Sequence, residues 1–214
     1  MKKPRLLVFA SGTTSGGGSG FENLVPAAKS GILSADIVAV VSNHEQGGVR
    51  EKADRLNIPF IYFNGPFNEQ SYQKIVADTN ADFVALSGWL KLVLGLDPAR
   101  TFNIHPGPLP RFGGKGMYGI HVHEAVLEAY KRGEVTHSAV TMHFVTPIYD
   151  EGPVFFRFQV PIEVLDTAET LAERVHKAEH EWQPKITNMV VNEEISWDGK
   201  NRETLKLPAG YKTI

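Results

Sequence analysis

Short apolar runs alternate with helix-spaced stretches through the first half of the chain, and no other feature restricts the fold as much. Leu6 to Ala10, Ala35 to Val41, Pro59 to Phe63 and Asp82 to Ser87 read as strands. The first is a continuous apolar run, as expected of a strand covered on both faces. Between them, Phe21 to Ala28, His44 to Leu56 and Asn68 to Thr79 read as helices. Strand–helix–strand order of this kind builds a parallel sheet buried between helices. Pro26 fits only if it lies in the first turn of its helix.

The second half departs from that rhythm. Gly88 to Arg100 reads as a loop with one short helix, and Thr101 to Ile104 as a fifth strand. Pro106 to Gly119 is a loop with firm proline corners, followed by a helix over Ile120 to Lys131. Two β-rich runs, Ser138 to Val145 and Val154 to Ile162, are close enough to pair antiparallel, which would make the sheet mixed. A last helix starts at Asp166 with capping-box spacing to Glu169, and its stripe is Leu171, Val175, Ala178 and Trp182. Pro184 should kink or interrupt it. Asp198-Gly199 marks a turn between short strand-like pieces in the tail. The expected organisation is one domain over residues 1–214, its halves meeting near residue 100 without a visible linker.

Composition narrows the function classes. A formal net charge of −2 over 214 residues gives no field for nucleic acid or an anionic membrane. The chain has no cysteine, so disulfides, thiolate metal sites and a cysteine nucleophile are excluded. No segment approaches the ~20 apolar residues of a membrane span, and the apolar start is too short for a secretory signal. The expectation is a cytoplasmic protein.

Three features carry chemistry. The loop Ser11 to Gly20, SGTTSGGGSG, lies between the first strand and the first helix, where converging backbone N–H groups and a helix N-terminus can hold an anion. It lacks the Lys-Ser or Lys-Thr pair of a nucleoside triphosphate loop, and its glycine spacing does not match a dinucleotide fingerprint. A ligand-free connector is the alternative. Asn103 and His105 alternate at the carboxyl end of a strand, so both project to one side. An amide there can donate to a developing oxyanion, and an imidazole can exchange a proton near neutral pH. A capping asparagine and a surface histidine would account for the same residues. Asp150 sits in a turn, where most acids cap; near His105 it would favour the imidazolium and raise the histidine pKa. The spacing of His105, His121, His123, His137 and His143 matches no zinc pattern, so no metal is expected. Glu179 and His180 read as a solvated helix face.

Together these segments resemble a known family. NIHPGPLPRF, from Asn103, resembles the NIHPSLLP segment of the folate-dependent formyltransferases, and HFVTPIYDEGPV, from His143, resembles the stretch that carries their catalytic aspartate. The resemblance covers nearly the whole chain and implies a Rossmann-like α/β fold with a central, mostly parallel but mixed sheet flanked by helices. It is nearest to the branch acting on glycinamide ribonucleotide in purine synthesis, with 10-formyltetrahydrofolate as co-substrate. It implies a catalytic trio of Asn103, His105 and Asp150, in which Asn103 and protonated His105 stabilise the tetrahedral oxyanion and Asp150 keeps His105 charged. Gly12, Gly18, Ser19, Gly20 and Glu179 would bind the ribonucleotide. Trp89, Leu90, Lys91, Leu92, Val145, Thr146 and Ile148 would line the folate pocket. Residues 1–100 would hold phosphate, and 101–214 the catalytic and folate groups. Another amine substrate, or hydrolysis of formyltetrahydrofolate, are the alternatives; assembly is monomer or homodimer.

The chain departs from the family pattern in three places. The usual SGxGSN loop is lengthened, with Gly20 at the asparagine position, leaving Asn23 or backbone amides to take its part. Lys91 stands where arginine is common, which loses fork-like pairing. Gly113 to Gly119 is an insertion beside the site.

Overall fold

A computed structural model describes residues 2–211 of the chain. Its elements in order are β1 (Arg5–Phe9), α1 (Ser19–Ser30), β2 (Asp36–Ser42), α2 (Gly48–Leu56), β3 (Phe60–Tyr62), α3 (Glu69–Thr79), β4 (Phe83–Ser87), β5 (Thr101–His105), α4 (Ile120–Lys131), β6 (His137–Phe144), β7 (Val154–Pro161) and α5 (Ala168–Val191). The strands form one seven-stranded sheet in the order β3-β2-β1-β4-β5-β6-β7. The first five are parallel, while β6 and β7 are antiparallel to their neighbours. The α/β mixed sheet expected from the alternation is therefore present.

The period-two rule of a strand divides the core. Leu6, Val8 and Ala10 pack with Phe21 and Leu24 of α1, Val122 and Val126 of α4, and Leu171 and Val175 of α5. Leu7 and Phe9 face the other way, onto Tyr72 of α3 and Trp89. After β1 the chain goes to β2 and β3 on one side of the sheet, then returns to β4 and β5 on the other. That reversal opens a crevice beyond the carboxyl ends of β1 and β4, where α/β sheets bind ligands.

Several local expectations are corrected. The helix begins at Ser19, so Pro26 lies inside α1, and the Glu22 carbonyl loses its usual donor. Residues 88–100 hold turns and no helix. The second helix starts at Gly48, because residues 43–47 form the bend that meets the glycine loop. Thr167, with Thr170, makes the capping box of α5; Asp166 is taken by Arg174, at 2.6 and 2.9 Å. α5 runs on through Pro184 for 24 residues. In the tail, Ser196 and Lys206 form a single antiparallel bridge around the Asp198-Gly199 turn.

Candidate active site

The site grows from the register of β5 against β6. Asn103 is paired with His143, and His105 with Thr141. Phe102 and Ile104 enter the core with Met142 and Phe144, so Asn103, His105 and His143 share the opposite face. The connection from β6 to β7 then folds back and brings Asp150 to this group, with φ at 57°. Asp150 Oδ2 lies 3.8 Å from His105 Nδ1, and Oδ1 lies 3.4 Å from His143 Nε2. The Asn103 amide nitrogen is 3.1 Å from His143 Nε2 and 3.5 Å from Asp150 Oδ1. The Gly114 N–H donates to Asp150 Oδ2 at 2.9 Å, tying the 113–119 segment to the acid.

Carbonyl oxygens fix both histidine tautomers, since a carbonyl only accepts. His105 Nε2 is 2.7 Å from the Phe112 carbonyl, so this nitrogen carries the proton and Nδ1 presents its lone pair toward Asp150. His143 Nδ1 is 2.8 Å from the Phe144 carbonyl, so its Nε2 lone pair meets the Asn103 N–H. Burial pushes the Asp150 carboxyl up, but the polar side chains of His143 and His105 beside it and the Gly114 N–H that donates to it outweigh that and hold the acid below its ordinary range. His105 behaves oppositely to expectation. Asp150 and the Phe112 carbonyl favour its charged form, but burial is the larger effect and lowers its pKa. This balance favours a neutral resting imidazole, where the resemblance implies an imidazolium.

The Ser11 to Gly20 loop leads into α1, whose N-cap, Gly18, has no side chain to satisfy the first turn. The N–H groups of Gly18, Ser19, Gly20 and Phe21 have no partner within the helix, which makes this end electropositive. Ser11 N bonds the Gly88 carbonyl at 2.9 Å, and Thr13 N bonds Gly16 O at 2.8 Å, so the loop has a defined shape. Two glycines are required by contact. Gly12 has φ +64, and a Cβ there would lie 2.7 Å from Val49 Cγ2. A Cβ on Gly20 would lie 2.1 Å from Ser87 Oγ and 2.8 Å from Gln183 Oε1. Gln183 is buried and donates to Ser87 Oγ at 3.0 Å, locking α5 to the end of β4. Asn23 does not point into the loop; it donates to the His180 carbonyl at 2.7 Å. Glu179 is mostly covered, accepts from His176 at 3.4 Å and acts electrostatically on His105.

The residues expected to meet folate occupy different environments. Trp89 is 7% exposed, packs against Phe9, Phe63 and Phe67, and donates its indole N–H to Tyr72 Oη at 3.1 Å. Leu90 and Ile148 are exposed, and Lys91 lies over the Phe67 ring at 5.4 Å. Leu92 gives its carbonyl to Tyr72, Val145 N bonds Thr101 O, and Thr146 Oγ1 bonds Ile148 O. His143 is the site member that sequence reasoning left without a role. Its position opposite Asn103 follows only once β5 and β6 are paired. Among the described residues no group of three or more His, Cys, Asp or Glu is placed to hold a metal.

Comparison with known proteins gives this geometry its context. Residues 5–187 match the model of the formyl transferase family. The chain belongs to the formyl transferase family. A chloroplastic phosphoribosylglycinamide formyltransferase of Arabidopsis thaliana is 36% identical over 207 residues, covering 92% of this chain and 68% of that protein. The phosphoribosylglycinamide formyltransferase of Bacillus subtilis is 30% identical, covering 89% of this chain and 95% of its own. The crystal structure of glycinamide ribonucleotide transformylase 1 from Geobacillus kaustophilus superposes with a TM-score of 0.73 at 32% identity, covering 89% of this chain and all of that one.

Proposed function

We propose that this formyltransferase moves the formyl group of 10-formyltetrahydrofolate to the amine of glycinamide ribonucleotide, giving formylglycinamide ribonucleotide and tetrahydrofolate in purine biosynthesis. The observation that carries the reading is the cluster of Asn103, His105, His143 and Asp150. It stands in a chain alike over most of its length to relatives named for that reaction. The α1 N-terminus, Gly12 and Ser19 would take the phosphate, with Glu179 on the ribonucleotide. The folate would lie along Trp89 to Leu92 and Val145 to Ile148, reading backbone more than side chains where those side chains are buried.

The chemistry follows from the tautomers. The amine nitrogen attacks the formyl carbon, and the carbonyl electron pair moves onto oxygen. Asn103 Nδ2 donates to that oxyanion by giving up its weakest contact, the 3.5 Å approach to Asp150. As the new C–N bond forms, the amine proton passes to the His105 Nδ1 lone pair. Asp150 and the Phe112 carbonyl stabilise the imidazolium so formed. The tetrahedral centre collapses, N10 of the folate leaves, and the same proton goes to N10. Ordering two substrates supplies much of the remaining acceleration. No helix among the described residues is long and apolar enough to cross a membrane. A cytoplasmic setting is the compartment we propose.

Purified protein with glycinamide ribonucleotide and 10-formyltetrahydrofolate, followed by folate absorbance, tests this directly. Amine-dependent release of tetrahydrofolate is expected. Release without the amine would make the chain a hydrolase, and no release from folded protein would end the proposal.

A further inference from the structure

Asp150 sits on a lightly tied loop, in a backbone conformation that needs support. Its φ of 57° lies in the left-handed region, which is uncommon outside glycine and persists where surrounding contacts fix it. Within the 146–151 segment the bonds are long: Glu151 N to Ile148 O at 3.5 Å, and Thr146 Oγ1 to Ile148 O and N at 3.2 and 3.4 Å. Ile148 is 58% exposed, and a cavity of about 320 Å³ borders Tyr149, Asp150 and Glu151. The loop therefore has room to move and little packing of its own to prevent it. Beyond the 3.4 and 3.5 Å approaches of His143 and Asn103 to the carboxylate, two contacts hold this end of the loop. One is the Gly114 N–H on Asp150 Oδ2. The other comes from the tail, where the Arg202 guanidinium donates to the Glu151 carbonyl, one residue past the acid.

The tail that carries Arg202 is itself well tied. Arg202 opens a short 3₁₀ turn (Arg202–Thr204), and the preceding Asn201 side chain accepts from Glu203 N at 3.0 Å. Asp198 Oδ1 accepts from the Lys200 and Asn201 N–H groups, both at 2.8 Å. Trp197 donates its indole N–H to the Asn201 carbonyl at 2.7 Å, and its ring lies 5.7 Å from that of Phe144, the residue after His143. Arg202 thus joins the β6–β7 connection to a turn fixed beside the strand that carries His143.

We propose that Arg202 is a positioning residue for Asp150: by holding the Glu151 carbonyl it keeps the carboxylate at the His105 and His143 imidazoles. The inference rests on the proposed formyl transfer, in which Asp150 stabilises the imidazolium. Release of that carbonyl would free the backbone around residue 151 to turn into the cavity and carry the carboxylate away from His105. Of the titratable groups that act on His105, namely Asp150, His143, His123 and Glu179, only Asp150 lies on the loop that Arg202 holds.

Steady-state kinetics and a histidine titration test the assignment. Arg202→Met keeps the aliphatic stem and removes the donor; it should lower kcat about tenfold and leave the ribonucleotide KM within about twofold. Arg202→Lys keeps a donor of similar reach and should stay within about threefold of the natural kcat. In an Asp150→Ala chain, Arg202→Met should alter the residual kcat less than about twofold, because the group it positions is gone. A merely structural role would lower both backgrounds alike. NMR titration of the His105 ring reads the hold without turnover. Its midpoint should fall in Arg202→Met, in the direction Asp150→Asn moves it, since a displaced carboxylate no longer favours the imidazolium. A natural protein without formyl transfer would end the functional reading and leave this titration to decide the hold. Natural kcat with an unmoved His105 midpoint in Arg202→Met would overturn the proposal. So would an equal loss of kcat in the Asp150→Ala background.

Discussion

The proposed catalytic cluster and the proposed anion loop lie beyond the same end of the sheet but are built on opposite principles. At Asn103, His105, His143 and Asp150 the groups are side chains, three on paired strands and Asp150 on the connection after them, held by hydrogen bonds to one another and to carbonyls. At Ser11 to Gly20 the offered groups are backbone N–H donors, and side chains matter mainly by their absence. A substitution in the first region removes chemistry; in the second it displaces a donor by steric contact.

The largest effect should fall in the cluster. His105→Ala and Asp150→Ala should each reduce turnover by at least ~100-fold while leaving the ribonucleotide KM within about threefold. Steady-state kinetics with both substrates check this. Near-normal turnover in either would remove that residue from the mechanism.

The loop should answer in the other constant. Gly12→Ala imposes an L side chain at φ +64 and drives its Cβ into Val49, so it should raise the ribonucleotide KM about tenfold and leave kcat nearly unchanged. Gly20→Ala strikes Ser87 and Gln183 and should also lower stability by about 1–3 kcal/mol, read by thermal unfolding. If Gly12→Ala lowered kcat with KM unchanged, the loop would belong to the chemistry and the contrast would fail.

The same contrast explains what the sequence made legible. Alternating runs identified the sheet, because burial on both faces leaves strands like Leu6 to Ala10 without polar interruption. Two-residue spacing put Asn103 and His105 on one side. His143 stayed silent because its proximity arises from antiparallel pairing across 40 residues of chain. At His105 the neighbouring acid that favours its charge is visible as a residue type, whereas the burial that opposes it is a product of the whole fold. Asp166 had the spacing of a cap, but Arg174 takes its carboxylate, and Thr167 caps α5 instead.

A smaller effect tests the neutral histidine. In the proposed mechanism His105 accepts the amine proton at Nδ1, so activity should fall as pH drops through its folded pKa, which lies below the ordinary 6.5. Asp150 favours the charged form and so raises that pKa. In Asp150→Asn the acid limb of the residual kcat/KM should therefore move to lower pH. A limb that moves up, or one above 6.5 in the natural protein, would restore the charged resting histidine.

The smallest effect is expected where a residue assigned to folate is turned into the core. The Trp89 indole N–H donates to Tyr72 Oη, which in turn donates to the Leu92 carbonyl. Burial pushes the Tyr72 hydroxyl up to about 12, so it stays protonated and keeps both roles through the working pH range. Trp89→Phe removes one donor from this chain and part of a ring packed on Phe9 and Phe63, while Tyr72 retains its bond to Leu92. The expected cost is about 1–2 kcal/mol of stability, with the formyl-donor KM changed less than about twofold. A tenfold rise in that KM, at unchanged ribonucleotide KM, would mean that folate reads the Trp89 side chain through the loop it supports. The folate region would then depend on side chains as the catalytic cluster does, and not on backbone as the anion loop does.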